Sequence, residues 1–444
     1  MMNNLRTPIS VRKLQQTLHA KAKGQPSYRF YSLYDKIWRK DVLAHAWERC
    51  RENDGVAGVD GRTFADIEAA GVESWLAEVA EELKLRTYRP NAVRRVYIPK
   101  DDGKQQRPLG IPTIKDRVVQ MAAVIVLEPI FEADLMEEQY AYRPGRDAHQ
   151  AIRRVHSWLK QGYREVVDCD LSGYFDSIPH SELLRSLARR ISDGQVLKLL
   201  KGWLEMAVVE TDADGRQHRS TTNRDTRRGT PQGSPISPLL SNLYFRRFIL
   251  GWKKLGWEER WQARVVNYAD DFVILCRGSA QQAEVEMRKL MTRLRLTVND
   301  KKTRVCRVPE ESFDFLGYTI GVCHKAKSGS AYIGTRPARK RIQRISKKIS
   351  RMTRPATGQM EATKMVGSLN RTLRGWANYF CLGPVSKAYR AIDSHTRYRL
   401  RHWLCKKHKR AGTGTRAFPD EYLYGKLGLL RLEKLTANLP WAKA

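Results

Sequence analysis

The chain has 444 residues, with 81 Lys or Arg against 47 Asp or Glu and a net charge of +34. That balance calls for a polyanionic partner, which points to nucleic acid and away from acidic surfaces or neutral small molecules as the main target. No apolar run approaches the roughly 18 residues of a membrane-spanning helix, no signal-peptide core is visible, and the seven scattered cysteines form no Cys-x-x-Cys pair, which predicts a reducing cytosol and no disulfide frame.

The length suggests about three folding units, and the 41% hydrophobic content suffices for packed cores. No acid precedes Asp35, whereas Arg6, Arg12, Lys13, Lys21, Lys23 and Arg29 do. This start reads as an extension that touches RNA or template. Val166 to Ile178 begins as a strand and ends in a turn, and it carries Asp168, Asp170 and Asp176. Asp168 and Asp170 are two apart, so they share a strand face, and spacing does not choose between them.

Arg264 to Cys276 is an apolar, β-branched run interrupted only by Tyr268-Ala-Asp-Asp271. It predicts two buried strands with a tight turn at the acids. Adjacent carboxylates repel each other and lose hydration in such a place. A hard divalent cation, Mg²⁺, offsets both costs. Two-metal phosphoryl transfer needs about three carboxylates, one ion activating the attacking hydroxyl and the other stabilising the leaving oxygen.

From Thr335 to Ala444 there are 26 basic and 5 acidic residues, so the excess charge is concentrated at the end of the chain. Thr335-Arg-Pro337 predicts a helix start with Pro in the first turn. Ile342, Ile345, Ile349 and Met352 then recur at helical spacing among arginines and lysines. Val366, Leu369, Leu373, Trp376 and Phe380 predict a second helix, with Trp376 in its core. Gly383-Pro384 breaks the chain before a third helix from about Val385 to Arg410. His402-x-x-Cys405-x-x-His408 offers three metal ligands crowded by cations, and no zinc is expected there. The tail after Gly412-Thr-Gly414 places Phe418, Tyr422, Tyr424 and Trp441 among basic residues.

Asp170-Leu-Ser-Gly-Tyr-Phe-Asp176, Gly229-Thr-Pro-Gln-Gly-Ser-Pro-Ile-Ser-Pro-Leu-Leu-Ser-Asn242 and Tyr268-Ala-Asp-Asp271 resemble the palm motifs of reverse transcriptases, those of group II intron-encoded reverse transcriptase/maturases above all. Gly58-Val-Asp-Gly61, Tyr97 to Pro112 and Lys115 to Gln120 resemble that family's fingers. Leu294 to Thr303 and Phe315-Leu-Gly-Tyr318 resemble the end of its palm, and Leu373-Arg-Gly-Trp-Ala-Asn-Tyr-Phe380 its thumb. The resemblance runs from about residue 28 to 405. Ala141-Tyr-Arg-Pro144 departs from the usual Gly-Phe-Arg-Pro.

The resemblance implies an α+β right-hand polymerase: an extension and the start of the fingers at 1–90, fingers and palm at 91–325, an α-helical maturase thumb at 335–410 and a basic, DNA-binding-like tail at 411–444. It implies that Asp170, Asp270 and Asp271 are the catalytic carboxylates and hold two Mg²⁺ ions, with Mn²⁺ as a substitute. Phe175 would lie under the incoming sugar and reject a 2′-OH. Gln232 would contact the nucleotide, with Gly233 letting the backbone approach that ligand closely. Lys100 and Arg107 would clamp the triphosphate, and Lys302 would be the lysine beside the palm acids. The implied function is RNA-directed DNA synthesis from dNTPs on a DNA primer or target. Binding of group II intron RNA for splicing and mobility goes with it, in the bacterial cytoplasm. Many proteins of that family end in an endonuclease with paired cysteines; the short tail from Ala411 to Ala444 lacks them and predicts none here. Two alternatives stay open: a non-mobile enzyme of repair or defence, and an RNA-binding splicing cofactor whose polymerase is secondary.

Overall fold

The computed structural model describes residues 6–99, 106–212, 214–325 and 328–436. Lys100 and Trp441 lie outside the described residues. Helices and strands mix along the chain in three packed regions, as the α+β expectation requires.

The first region is built on the helix Ile114–Glu132, which is buried on nearly every side. Such a helix must satisfy its polar ends internally. Thr113 caps it, its Oγ1 accepting from the Asp116 amide at 3.1 Å. The Asp116 carboxylate accepts from Tyr88 Oη at 2.6 Å and Thr113 Oγ1 at 2.7 Å. Pro129, inside the helix, cannot donate to the Ile125 carbonyl. Gln15 Nε2 donates to that carbonyl at 3.1 Å, and His19 Nδ1 lies 3.0 Å from the Pro129 carbonyl. The helix Ile9–Gly24 is thereby docked at the proline gap. In front lies a sheet of order β2-β1-β4-β5, formed by β1 (Val93–Pro99), β2 (Gln106–Ile111), β4 (Val208–Thr211) and β5 (Gln217–Ser220).

The palm sheet is β3 (Glu165–Asp170), β6 (Ala263–Tyr268), β7 (Asp271–Cys276) and β8 (Arg304–Arg307), in the antiparallel order β6-β7-β3-β8. Its inner residues Val166, Val167, Val266, Val273 and Ile274 are buried on both faces, as a central sheet between layers requires. A third sheet, β11-β10-β9, joins β9 (Phe313–Phe315), β10 (Tyr318–His324) and β11 (Ala331–Pro337).

The thumb contains helices Arg339–Met352, Ala362–Tyr379 and Ser386–Lys407. Ile345, Ile349, Val366, Leu369 and Leu373 bury against Tyr389, Trp403 and Leu404. The helix start expected at Thr335-Arg-Pro337 is corrected: those residues end β11, and Ala338 precedes the helix. Strand pairing overrides the proline signal, since Thr335, Arg336 and Pro337 stand opposite Ile320, Thr319 and Tyr318. The described part of the tail folds back on the thumb. Phe418, Leu423, Leu429 and Leu432 enter its core, and Asp393 accepts from the amides of Leu432 and Glu433 at 3.0 Å each. Phe418 is therefore a core residue.

Candidate active site

The palm sheet brings the acids together through its register. Asp170, the last residue of β3, stands opposite Asp271, the first of β7. Tyr268 also pairs with Asp271, so Ala269 and Asp270 form a two-residue turn between β6 and β7. Ala269 takes φ +58, a left-handed conformation that costs a non-glycine residue about 1–2 kcal/mol. Buried Asn267 holds it there: Asn267 Nδ2 donates to the Ala269 carbonyl at 2.7 Å. The Asn267 backbone is itself tied to Glu138 and Tyr140 at 2.8 and 3.0 Å.

Asp170 is gripped from the other side by the turn that follows the palm's last helix. Asn299 Nδ2 donates to Asp170 Oδ2 at 2.9 Å, and Lys302 Nζ sits 3.3 Å from both carboxylate oxygens. Asp271 opens into the cleft, so its surface is accessible, yet the walls around it strip much of its hydration. That loss, together with Asp270, Asp170 and Asp168, pushes its carboxyl up to about 7 against the pull of Lys302. Asp168 is pushed up to about 6 by burial, opposed by Arg304 at 3.8 Å. Asp170 lines the cleft and Asp168 does not. The pair that spacing left open is thus separated by depth along the strand.

The cleft holds about 1100 Å³. Asp170, Asp270 and Asp271 share it with Phe175, Gln232, Arg107 and Lys302. Phe175 is half-buried and packs edge-on against Tyr174 at 5.6 Å. Its carbonyl accepts from the Thr230 amide at 2.8 Å, which ties the first palm segment to the Gln232 turn. Gln232 Nε2 donates to Asp176 Oδ2 at 3.1 Å. The reading of Gly233 is corrected. At φ +107 its added Cβ would meet the Gly110 carbonyl at 2.7 Å, and the Gly110 amide donates to the Gln232 carbonyl at 2.6 Å. The close approach is to strand β2, which bolts this turn to the fingers.

Sequence reasoning did not single out Asn299, Tyr142, Thr372 or Gly375, all of which line the cleft. Asn299 had a signal, lying three residues before Lys302 on the same turn. Tyr142 appeared only as a departure from pattern, and it adopts φ +55.

The donor set suits hard divalent cations: carboxylate oxygens crowded until one of them holds its proton near neutrality. Among the described residues no three His, Cys, Asp or Glu side chains are grouped as a ready ligand set. Lys302 partly neutralises Asp170 in their place.

Residues 98–320 match the reverse transcriptase (RNA-dependent DNA polymerase) family model, which is half of the chain. The chain belongs to the reverse transcriptase family. Its enzyme class is RNA-directed DNA polymerase, and residues 342–419 match the group II intron maturase-specific domain. Protein YkfC of Escherichia coli (strain K12) is 33% identical over 70% of this chain and 88% of its own length. Group II intron-encoded protein LtrA of Lactococcus lactis subsp. cremoris is 28% identical over 66% of this chain, which spans 57% of LtrA. A 91 kDa protein in the cob intron of Schizosaccharomyces pombe is 24% identical over 78% of this chain and 50% of its own length. Among solved structures, a chain of the partial Cas6-RT-Cas1--Cas2 complex is 22% identical over 59% of this chain and 42% of that one, with a TM-score of 0.35. No helix among the described residues is long and apolar enough to cross a membrane.

Proposed function

We propose that this reverse transcriptase extends a DNA primer on an RNA template from dNTPs at Asp170, Asp270 and Asp271, and that its basic thumb also grips a group II intron RNA for splicing and mobility. The observation that carries the reading is the β3–β7 register, which puts Asp170 beside Asp271 with Asp270 in the adjoining turn, in the cleft that also holds Phe175 and Gln232.

The three carboxylates would hold Mg²⁺, or Mn²⁺ in its place. Bound there, divalent ions supply electrostatic stabilisation of the attacking and leaving oxygens. The protein's own residues do the positioning. Asn299 and Lys302 orient Asp170. Asn267 fixes the turn that carries Asp270. Arg107, and Lys100 before it in the sequence, would meet the triphosphate, where positive charge stabilises the departing pyrophosphate. Gln232, held by Asp176, would position the nucleotide. On the thumb, Arg344, Lys348 and Arg371 face the same cleft and suit phosphate contacts.

Phe175 supplies the selective test. Its ring would lie under the sugar, where a 2′-OH would collide with it. Phe175→Ala is expected to raise ribonucleotide incorporation at least about tenfold relative to dNTPs, the order of a few kcal/mol of steric discrimination. Competition between matched rNTP and dNTP in primer extension reads this directly. An unchanged ratio would remove Phe175 as the sugar gate.

A further inference from the structure

Tyr142 stands where phenylalanine is usual in the motif that Ala141-Tyr-Arg-Pro144 resembles, so this chain adds one hydroxyl there. Four tyrosines line the cleft: Tyr142, Tyr174, Tyr268 and Tyr379. Tyr174 donates to the Ser241 carbonyl at 2.6 Å, and Tyr379 to that of Leu316 at 2.9 Å. Tyr268 is half-buried, whereas Tyr142 is 52% exposed. Among the described residues the Tyr142 hydroxyl has no hydrogen-bond partner. The fold nevertheless holds this residue in place. At φ +55 its backbone is left-handed, at a cost of about 1–2 kcal/mol. Such strain persists only where the surroundings impose it. Here they do so from both sides. The Ala141 carbonyl accepts from buried Asn242 at 2.7 Å, and the Arg143 guanidinium pairs with Glu132 at 2.6 Å and donates to the Met136 and Gln139 carbonyls at 2.6 and 2.8 Å. Ala269 and Leu316 also line the cleft with positive φ, but neither carries a polar side chain. Hydration lost to the cleft walls raises the pKa of the Tyr142 hydroxyl, as do Asp270, Tyr268 and Asp271, with Arg107 opposing them. The hydroxyl thus lies in the field of the catalytic acids and is a neutral O–H donor.

We infer that the Tyr142 hydroxyl donates to the minor-groove edge of the primer's terminal base, at purine N3 or pyrimidine O2, and is a specificity-determining residue for extension of a correctly paired end. A phosphate is the poorer partner. Asp270 and Asp271 repel it, and Arg107, Arg344, Lys348 and Arg371 bring cations to the cleft for that purpose. A neutral donor beside two acids suits a neutral acceptor. That acceptor must also be common to every sequence the enzyme copies. In the minor groove purine N3 and pyrimidine O2 are acceptors on every pair, whereas the major-groove pattern changes with each base. An RNA–DNA hybrid takes A-form geometry, which displays base edges in a wide, shallow minor groove. The terminal base is the one to check, because its 3′-oxygen is delivered to the carboxylates. A mispaired end displaces N3 or O2 and spoils the hydrogen bond's geometry.

The inference rests on the polymerase reading, and one experiment separates the two. Wild type and Tyr142→Phe extend DNA primers on the same RNA template. The primers end in deoxyguanosine or in 3-deazadeoxyguanosine, which keeps the Watson–Crick edge and lacks the N3 acceptor. Wild type is expected to extend the 3-deaza primer about fivefold more slowly than the natural one, the order of one hydrogen bond. Tyr142→Phe is expected to extend the natural primer at that slower rate, with no further loss on the 3-deaza primer. It is also expected to favour matched over mismatched ends about fivefold less than wild type does. Its Tm is expected to be unchanged, since one exposed oxygen is removed. No extension by wild type would overturn the polymerase reading and this inference with it. Extension by wild type with equal 3-deaza slowing in both proteins would overturn the inference alone. So would a fall in the Tm of Tyr142→Phe, which would make the hydroxyl a folding group.

Discussion

Asp271→Asn is expected to abolish DNA synthesis while making the protein more resistant to heat at neutral pH. The two effects have one cause. The Asp271 carboxyl is pushed up to about 7 by lost hydration and by Asp270, Asp170 and Asp168, from an ordinary value near 4. The folded protein therefore holds this proton more tightly than the unfolded chain does. Below about pH 4 both states are protonated, and the raised value has no net cost. As pH rises toward 7 the unfolded chain releases the proton first, so stability is lost across that interval and stays lost above it. Asparagine removes the charge and the loss with it. The gain in Tm should be clear at pH 8 and shrink to nothing toward pH 4, measured without divalent ions. Synthesis should fall at least about a thousandfold, because a neutral amide is a poor ligand for a hard cation. A lower Tm for Asp271→Asn at pH 8 would mean that the carboxylate supports the fold, through Lys302, more than it strains it.

Gly383→Ala is the change expected to damage the fold most. Gly383 sits at φ +71, and an added Cβ would lie 1.8 Å from the Thr335 carbonyl oxygen. That oxygen cannot retreat easily, because Thr335 is held in β11 opposite Ile320. Nearby, Tyr318 Oη donates to the Tyr379 carbonyl and accepts from the Leu382 amide at 3.4 Å. The joint between palm and thumb is thus fixed from several directions, and its strain has no outlet. A cost of about 3–5 kcal/mol follows, equivalent to a fall in Tm of roughly 6–20 °C at about 2–4 °C per kcal/mol. Thermal unfolding and limited proteolysis between the second and third thumb helices check this. A Tm within about 2 °C of wild type would show that the joint is looser than described.

Much of the site is legible in the sequence. Tyr268-Ala-Asp-Asp271 sits in a run whose β-branched residues can only be a buried hairpin, and the structure places the turn there. The isoleucine spacing in the first thumb helix likewise matched its buried face. What sequence could not decide were matters of contact between distant segments. A period of two puts Asp168 and Asp170 on one strand face and is silent on depth. Depth is set by β8, more than 130 residues on, which pairs Asp168 with Arg304 and leaves Asp170 at the strand's open end. Pro337 carried a helix-start signal that β10 overruled by pairing through it. The glycine of Pro231-Gln-Gly233 was recognisable as a point of close approach, but local sequence does not say to what, and the partner is β2.

On the proposed reading, Asp170, Asp270 and Asp271 form the carboxylate set of an RNA-directed DNA polymerase. Primer extension on a defined RNA template with Mg²⁺ and dNTPs, wild type beside Asp270→Asn, tests it most directly when RNA affinity is measured on both proteins. The predicted result is extension by wild type, none by Asp270→Asn, and RNA affinities within about threefold of each other, since binding rests on cations elsewhere. Equal extension by both proteins, or none by a wild type that still binds RNA tightly, would contradict it.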